Sequence, residues 1–196
     1  MRPLGRKSVY VASPDGTLTP GPDFDEFTSL CARLVAIMSN GDTPGFVFKD
    51  AMKLELRKPE KLKSPRLVLG APLHHTVLSK CYFGAFFAHI QKTNYFNDSF
   101  IGMDPHKDWH DMEMRFRSVG GADRNMTGDY SGFDNSVDPD LIEVFASIAN
   151  RFYGDPDDSP TGRVRMALAR STVVTYHTFG NILELWTAGF CYAPVS

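Results

Sequence analysis

The chain has 196 residues, of which 42% are hydrophobic and 22% charged, and a formal net charge of -2. That is an ordinary globular composition, long enough for one domain with a sizeable core or for part of a larger one. It excludes a globally basic nucleic-acid binder while leaving room for a local cationic cluster.

Cys31, Cys81 and Cys191 are far apart, odd in number and form no Cys-x-x-Cys. They exclude a disulfide framework and a cysteine-based zinc site, and they fit a reducing compartment. The opening Met1-Arg-Pro-Leu-Gly-Arg-Lys7 is followed by no apolar core, so no signal peptide is expected. No apolar run is long enough to span a bilayer.

Residues 1–22 are rich in Gly, Pro, Ser and Thr and read as loop, with one short strand at 8–12. Pro22-Asp23 ahead of Phe24, Phe27, Leu30, Leu34, Val35 and Met38 predicts an amphipathic helix, stopped at Asn40-Gly41. An extended stretch begins at Phe46-Val-Phe48. Met52-Lys-Leu-Glu-Leu-Arg57 then alternates apolar and charged residues, the period of a half-exposed strand, and Pro59 ends it. Arg66-Leu-Val-Leu69 is a second short strand, so the pair forms a basic hairpin.

Residues 71–91 are apolar and aromatic and predict a largely buried helix, with Tyr82, Phe83, Phe86 and Phe87 as core. Residues 105–117 predict a helix with Asp104 as N-cap and Trp109 as a packing anchor. A short strand is predicted at 124–130. Asp138-Pro139 opens a helix through 153, with Leu141, Ile142, Phe145, Ile148, Ala149 and Phe152 on one face. After an acidic, proline-containing loop at 154–162, a helix starts at 163. Gly180-Asn181 then marks a hairpin turn between 173–179 and 182–187. Helices and strands mix without a regular alternation, which argues α+β.

Two features carry chemistry. Lys53, Arg57, Lys58, Lys61, Lys63 and Arg66 put six cations into one hairpin. A triphosphate or an RNA backbone needs such groups converging from one side, although a charge run by itself fits a solvated face better. The second is Asp129-Tyr-Ser-Gly-Phe-Asp134, two carboxylates five apart after a predicted strand. Hard Mg²⁺ takes one or two carboxylates plus substrate phosphates, and a metal pair stabilises both the attacking and the leaving oxygen. Ser131-Gly132 as a turn capped by the two acids is the plainer reading. A calcium loop starting at Asp134 is excluded by Pro139 at its sixth position and Phe145 at its twelfth.

Together these elements resemble the first half of a picornavirus-like RNA-dependent RNA polymerase. Lys53-Leu-Glu-Leu-Arg57, Glu60-Lys61-Leu62 and Arg66-Leu67-Val68 resemble fingers motif F. Asp129-Tyr-Ser-Gly-Phe-Asp134 resembles palm motif A. Gly102-Met-Asp-Pro105 with Trp109 resembles the segment before motif A, and Thr175-Tyr-His-Thr-Phe-Gly-Asn181 the run toward motif B, which Pro194-Val-Ser196 would open. Lys63-Ser-Pro-Arg66 departs from the usual Gly-Lys-Ser/Thr-Arg, and the hairpin is shorter.

The resemblance implies a partial right-hand polymerase. Residues 1–120 would be a fingers segment, with motif F at about 46–70. Residues 121–155 would be a palm segment, and 156–196 the return toward motif B. Asp129 and the Tyr130 carbonyl would bind Mg²⁺, with Mn²⁺ as a substitute, and Asp134 would face the ribose. Lys53, Arg57, Lys61 and Arg66 would contact triphosphate or RNA, and Ser196 would belong to the ribose-selecting loop. Implied partners are an RNA template-primer, NTPs and other viral replication proteins, in the host cytoplasm. The motif C acids lie beyond Ser196, so the chain reads as an inactive fragment of its parent.

Two other classes stay open on the residues alone. One is a non-catalytic RNA-binding or scaffold domain that uses the basic hairpin. The other is a different two-metal phosphotransferase or nuclease, for which no further converging acids are evident. His106 and His110 are four apart but lack a third zinc ligand, and His74-His75 read as helix-start polar contacts. Gly120-Gly121 reads as a turn, since no Gly-x-x-x-x-Gly-Lys surrounds it.

Overall fold

The computed structural model describes residues 6–53, 67–120, 124, 126–130, 133 and 137–186. The chain forms two compact units, one of residues 1–82 and 134–196 and one of residues 83–133.

In the first unit a single helical turn, α1 (Arg6–Val9), leads into β1 (Tyr10–Ala12), which pairs antiparallel with β2 (Leu18–Pro20). The strand expected at 8–12 therefore occupies only its last three residues, because Val9 is drawn into the interior as the end of α1. The helix expected after Pro22 is α2 (Phe24–Ser39), with Asp25 and Glu26 in its first turn, where the helix dipole favours anions. It buries Phe27 and Met38. Beyond it Gly41 takes φ +101°, a left-handed conformation that only glycine adopts without strain.

A four-stranded sheet has the order β4-β3-β5-β6, with β3 (Val47–Met52), β4 (Leu67–Gly70), β5 (Thr175–Phe179) and β6 (Ile182–Trp186). β3 and β4 are antiparallel, ending in the pair Met52↔Leu67. β3 and β5 are parallel over Val47↔Tyr176, Phe48↔His177 and Lys49↔Thr178. The β5–β6 hairpin turns at Gly180 with φ +60°, as the Gly-Asn pair predicts.

A strand forms at 47–52, continuing the extended stretch expected from Phe46; of the strand expected from Met52 to Arg57, residues 54–57 lie outside the described residues. Burial of Phe46, Phe48 and Asp50 sets the register of β3, since a one-residue slip would turn that face to solvent. The expected hairpin forms at its base, and its residues 54–66 lie outside the described residues.

Asp138 caps α6 (Pro139–Tyr153), accepting from the Asp140 N–H at 2.9 Å, and Gly154 ends the helix at φ +73°. Ser159 caps α7 (Pro160–Arg170) by accepting from the Gly162 N–H at 3.0 Å. A Cβ at Gly162 would collide with the Pro156 carbonyl, so the tight loop requires glycine there. α6 and α7 pack together and α2 packs on α7. Ile142, Ala146, Ala169 and Val173 form a core cluster, where alanines let the helices approach closely.

α3 (Leu73–Lys92) begins in the first unit and ends in the second. It is less buried than predicted. His75, Leu78, Phe83 and Phe86 are buried, but Phe87 is 41% exposed, because the helix is only weakly amphipathic. His75, expected to make a helix-start polar contact, makes one in the interior. It is 2% exposed, its ring meets Phe46 edge-on at 4.7 Å, and Nε2 lies 3.1 Å from the Ser171 hydroxyl.

Burial, with the neighbouring His74 adding to it, lowers the His75 pKa from 6.5 to about 4. Between those values the unfolded chain binds the proton and the folded chain does not. Stability therefore falls as pH drops through that window, by about 3 kcal/mol in all. Thermal unfolding followed from pH 7 to pH 4 should show a steeper loss for the wild type than for His75→Gln. Parallel curves would rule the assignment out.

The second unit contains α4 (Asn94–Asn97) and α5 (Pro105–Gly120). Asp104 caps α5 by accepting from the His106 N–H at 3.0 Å, and the Asp108 carboxylate accepts from the Asp104 N–H at 2.9 Å. Trp109 is 59% exposed rather than a packing anchor, and α5 buries no residue at all. The described residues of 124–130 are exposed and form no strand, since neither sheet includes a partner for them. Among the described residues, no helix is long and apolar enough to cross a membrane.

Candidate functional site

β3 ends at Met52, and the exposed Lys53 follows it at once. Its antiparallel partner starts at Leu67, so the cationic connection leaves and rejoins the sheet at one register pair. Arg57, Lys61 and Arg66 belong to that connection and lie outside the described residues, as do Asp134 and Ser196. Lys53 belongs to the first unit and Asp129 to the second.

Asp129 and Tyr130 are exposed and adjacent; Tyr130 is 79% exposed, with its ring 5.6 Å from that of Phe133. A carboxylate and a backbone carbonyl are the hard oxygen donors that Mg²⁺ accepts, so this pair fits part of a divalent-cation site. Among the described residues, no group of three or more His, Cys, Asp or Glu side chains could hold a metal ion. That applies also to His106 and His110. Cys31 and Cys81 are free thiols.

The sheet also holds a polar chain that the sequence reading did not single out. Asp50 and His177 are 7% and 2% exposed. The His177 Nδ1–H donates to Asp50 Oδ1 at 2.8 Å, and Nε2 lies 2.6 Å from the Thr175 hydroxyl. The imidazole stacks on Trp186 at 4.3 Å and on Phe48 at 5.8 Å between centroids. A cavity of about 320 Å³ opens beside it, walled by Met52, Leu67, Phe179 and Ile182. The signal was present in the period-2 pattern: Asp50 follows Phe48 on the inward face, and a buried carboxylate demands a partner.

Residues 21–178 match the model of the viral RNA-dependent RNA polymerase family, and the chain belongs to that family. It is 26% identical over 168 residues to the replicase polyprotein of Acute bee paralysis virus, covering 84% of this chain and 9% of that polyprotein. It is 35% identical over 127 residues to the genome polyprotein of Ectropis obliqua picorna-like virus, covering 64% and 4%. The Sicinivirus 3Dpol RNA dependent RNA polymerase shares the fold with a TM-score of 0.72 at 21% identity, covering 97% of this chain and 38% of that one. The α+β architecture is thus that of part of a right-hand polymerase.

Proposed function

We propose that this chain supplies the fingers segment (1–120), the first palm segment (121–155) and the return toward motif B (156–196) of a viral RNA-directed RNA polymerase. The observation that carries the reading is the family match over 21–178, which spans both Lys53 and the Asp129 segment. The reaction is attack of a primer 3′-oxygen on the α-phosphorus of an NTP. An O–P bond forms, the bond to pyrophosphate breaks, and the hydroxyl proton is lost to solvent or a base.

Lys53, Arg57, Lys61 and Arg66 hold the triphosphate and the RNA backbone. In phosphoryl transfer such positioning and charge stabilisation provide most of the rate. Asp129 and the Tyr130 carbonyl supply oxygen donors on the metal side, and a bound Mg²⁺, or Mn²⁺ in its place, would neutralise charge on the phosphates. Asp134 accepts a hydrogen bond from the ribose 2′-hydroxyl, and Ser196 joins that selection. The partners are an RNA template-primer, NTPs and other replication proteins, in the host cytoplasm.

The test is primer extension by the complete polymerase with and without a chelator. Incorporation should require the divalent cation and be absent from the isolated 196-residue chain. Asp134→Ala should lower discrimination between NTP and dNTP by about tenfold or more, the scale of a lost buried hydrogen bond to a substrate hydroxyl. Salt-sensitive RNA binding without incorporation would instead favour an RNA-binding scaffold.

A further inference from the structure

We propose that Asp50, His177 and Thr175 form a positioning device that sets where β3 delivers Lys53. The inference rests on the polymerase reading above, because it concerns how the fold aims one cation of that site.

The backbone ladder between β3 and β5 ends at Lys49↔Thr178. Asp50 is the next residue of β3, and it bonds back to His177, the ladder partner of Phe48, so β3 stays tied to β5 one residue past its own last ladder pair. Lys53 leaves the strand three residues later. On the other side, β5 is held to β6 out to Thr175↔Trp186, and the Trp186 ring lies on the imidazole. Both nitrogens of His177 are bonded and its ring stacks with Phe48 and Trp186, which fixes its orientation. In the neutral ring the Nδ1–H points at Asp50 and Nε2 accepts the Thr175 hydroxyl proton.

An apolar residue at position 50 would fill the same space without a directional bond. What the carboxylate adds is direction: it ties β3 to the β5–β6 hairpin just past its last backbone pair with β5, while on its other side β4 holds the strand as far as Met52↔Leu67. In a buried setting that tie is sensitive to loss of either partner.

The test uses the complete polymerase carrying this chain, with NTP KM and kcat measured by primer extension for Asp50→Ala, Asp50→Asn, Lys53→Ala and the double variant D50A/K53A. Asp50→Ala should raise the NTP KM about tenfold with kcat within about twofold, the pattern of a loosened ground-state grip. Asp50→Asn keeps a side-chain oxygen for the imidazole and should stay within about threefold of wild type. In the Lys53→Ala background Asp50→Ala should add no further rise, since coupled residues are not additive.

A further rise in that background, or an unchanged KM in Asp50→Ala, overturns the proposal. If Asp50→Ala does not fold, Thr175→Val carries the same cycle under the same criteria. Retained activity in Asp129→Ala would count against the polymerase reading itself. Loss of activity there together with an additive Asp50–Lys53 cycle would sink the positioning role alone.

Discussion

Asp129→Ala in the complete polymerase is expected to abolish nucleotide incorporation, with a loss of about a thousandfold or more in kcat, while thermal stability stays within about 0.5 kcal/mol of wild type. The separation of the two effects follows from where the residue sits. Asp129 is exposed and lies in a segment that belongs to neither sheet, so no core contact or ladder bond depends on its carboxylate. Its proposed work is done only when phosphates and a cation are present, because a hard oxygen ligand is needed there and nowhere in the apo fold.

Asp129→Asn sharpens the test, since it keeps the shape and removes the charge. It should fail nearly as badly as the alanine variant. RNA affinity at low salt should be unchanged in both, because it comes from the cationic side of the site. Wild-type turnover in either variant would remove Asp129 from the site. An unfolding midpoint that falls in step with activity would make its role structural.

The parts of this fold that were legible in the sequence are those written in local signals. Asp104 and Asp138 cap the helices they were expected to cap, because a short carboxylate reaches the free N–H groups of the next turn whatever lies elsewhere. Gly180-Asn181 turns the hairpin because a left-handed residue is needed there.

What escaped depends on distant residues. The parallel pairing of β3 with β5 joins residues 47–49 to 176–178, and no local pattern announces it. It joins β3 at 47–52 to the sheet and turns Asp50 inward against a histidine that is a neighbour only in the fold. The strand expected at 124–130 is absent from the described residues there, which pair with no strand of either sheet. Trp109 stays exposed because whether an aromatic side chain is covered depends on what the rest of the fold brings over it. Of the proposed site, Lys53, Asp129 and Tyr130 lie among the described residues, and each is exposed.

Arg165→Ala is expected to cost about 3 kcal/mol of folding free energy, because it orphans buried acceptors as well as opening a gap. The guanidinium is 5% exposed. Its Nε–H donates to the Tyr82 carbonyl at 2.9 Å, and Nη1 donates to Asn150 Oδ1 at 3.0 Å and to Asp155 Oδ2 at 2.7 Å. The group also lies 4.0 Å from the centroid of the Tyr153 ring. Asn150 is fully buried and donates onward to Asp157 at 2.9 Å and to the Gly162 carbonyl at 3.3 Å. One cation thus ties α7 to α3 and α6, and to the loop between α6 and α7.

Arg165→Lys should recover less than half of the loss, since a single ammonium cannot present the planar fork that reaches these acceptors together. The pH dependence gives a second reading of the same bond. Arg165 holds the Asp155 carboxyl below its ordinary 3.8, so the pair's contribution is fully present above that pH and is lost as acid protonates the folded form. In Arg165→Met that part of the acid-range loss should vanish. Urea unfolding at pH 7 and pH 3 decides it: a wild type and an Arg165→Met variant that lose equal stability between the two would show that the ion pair contributes nothing.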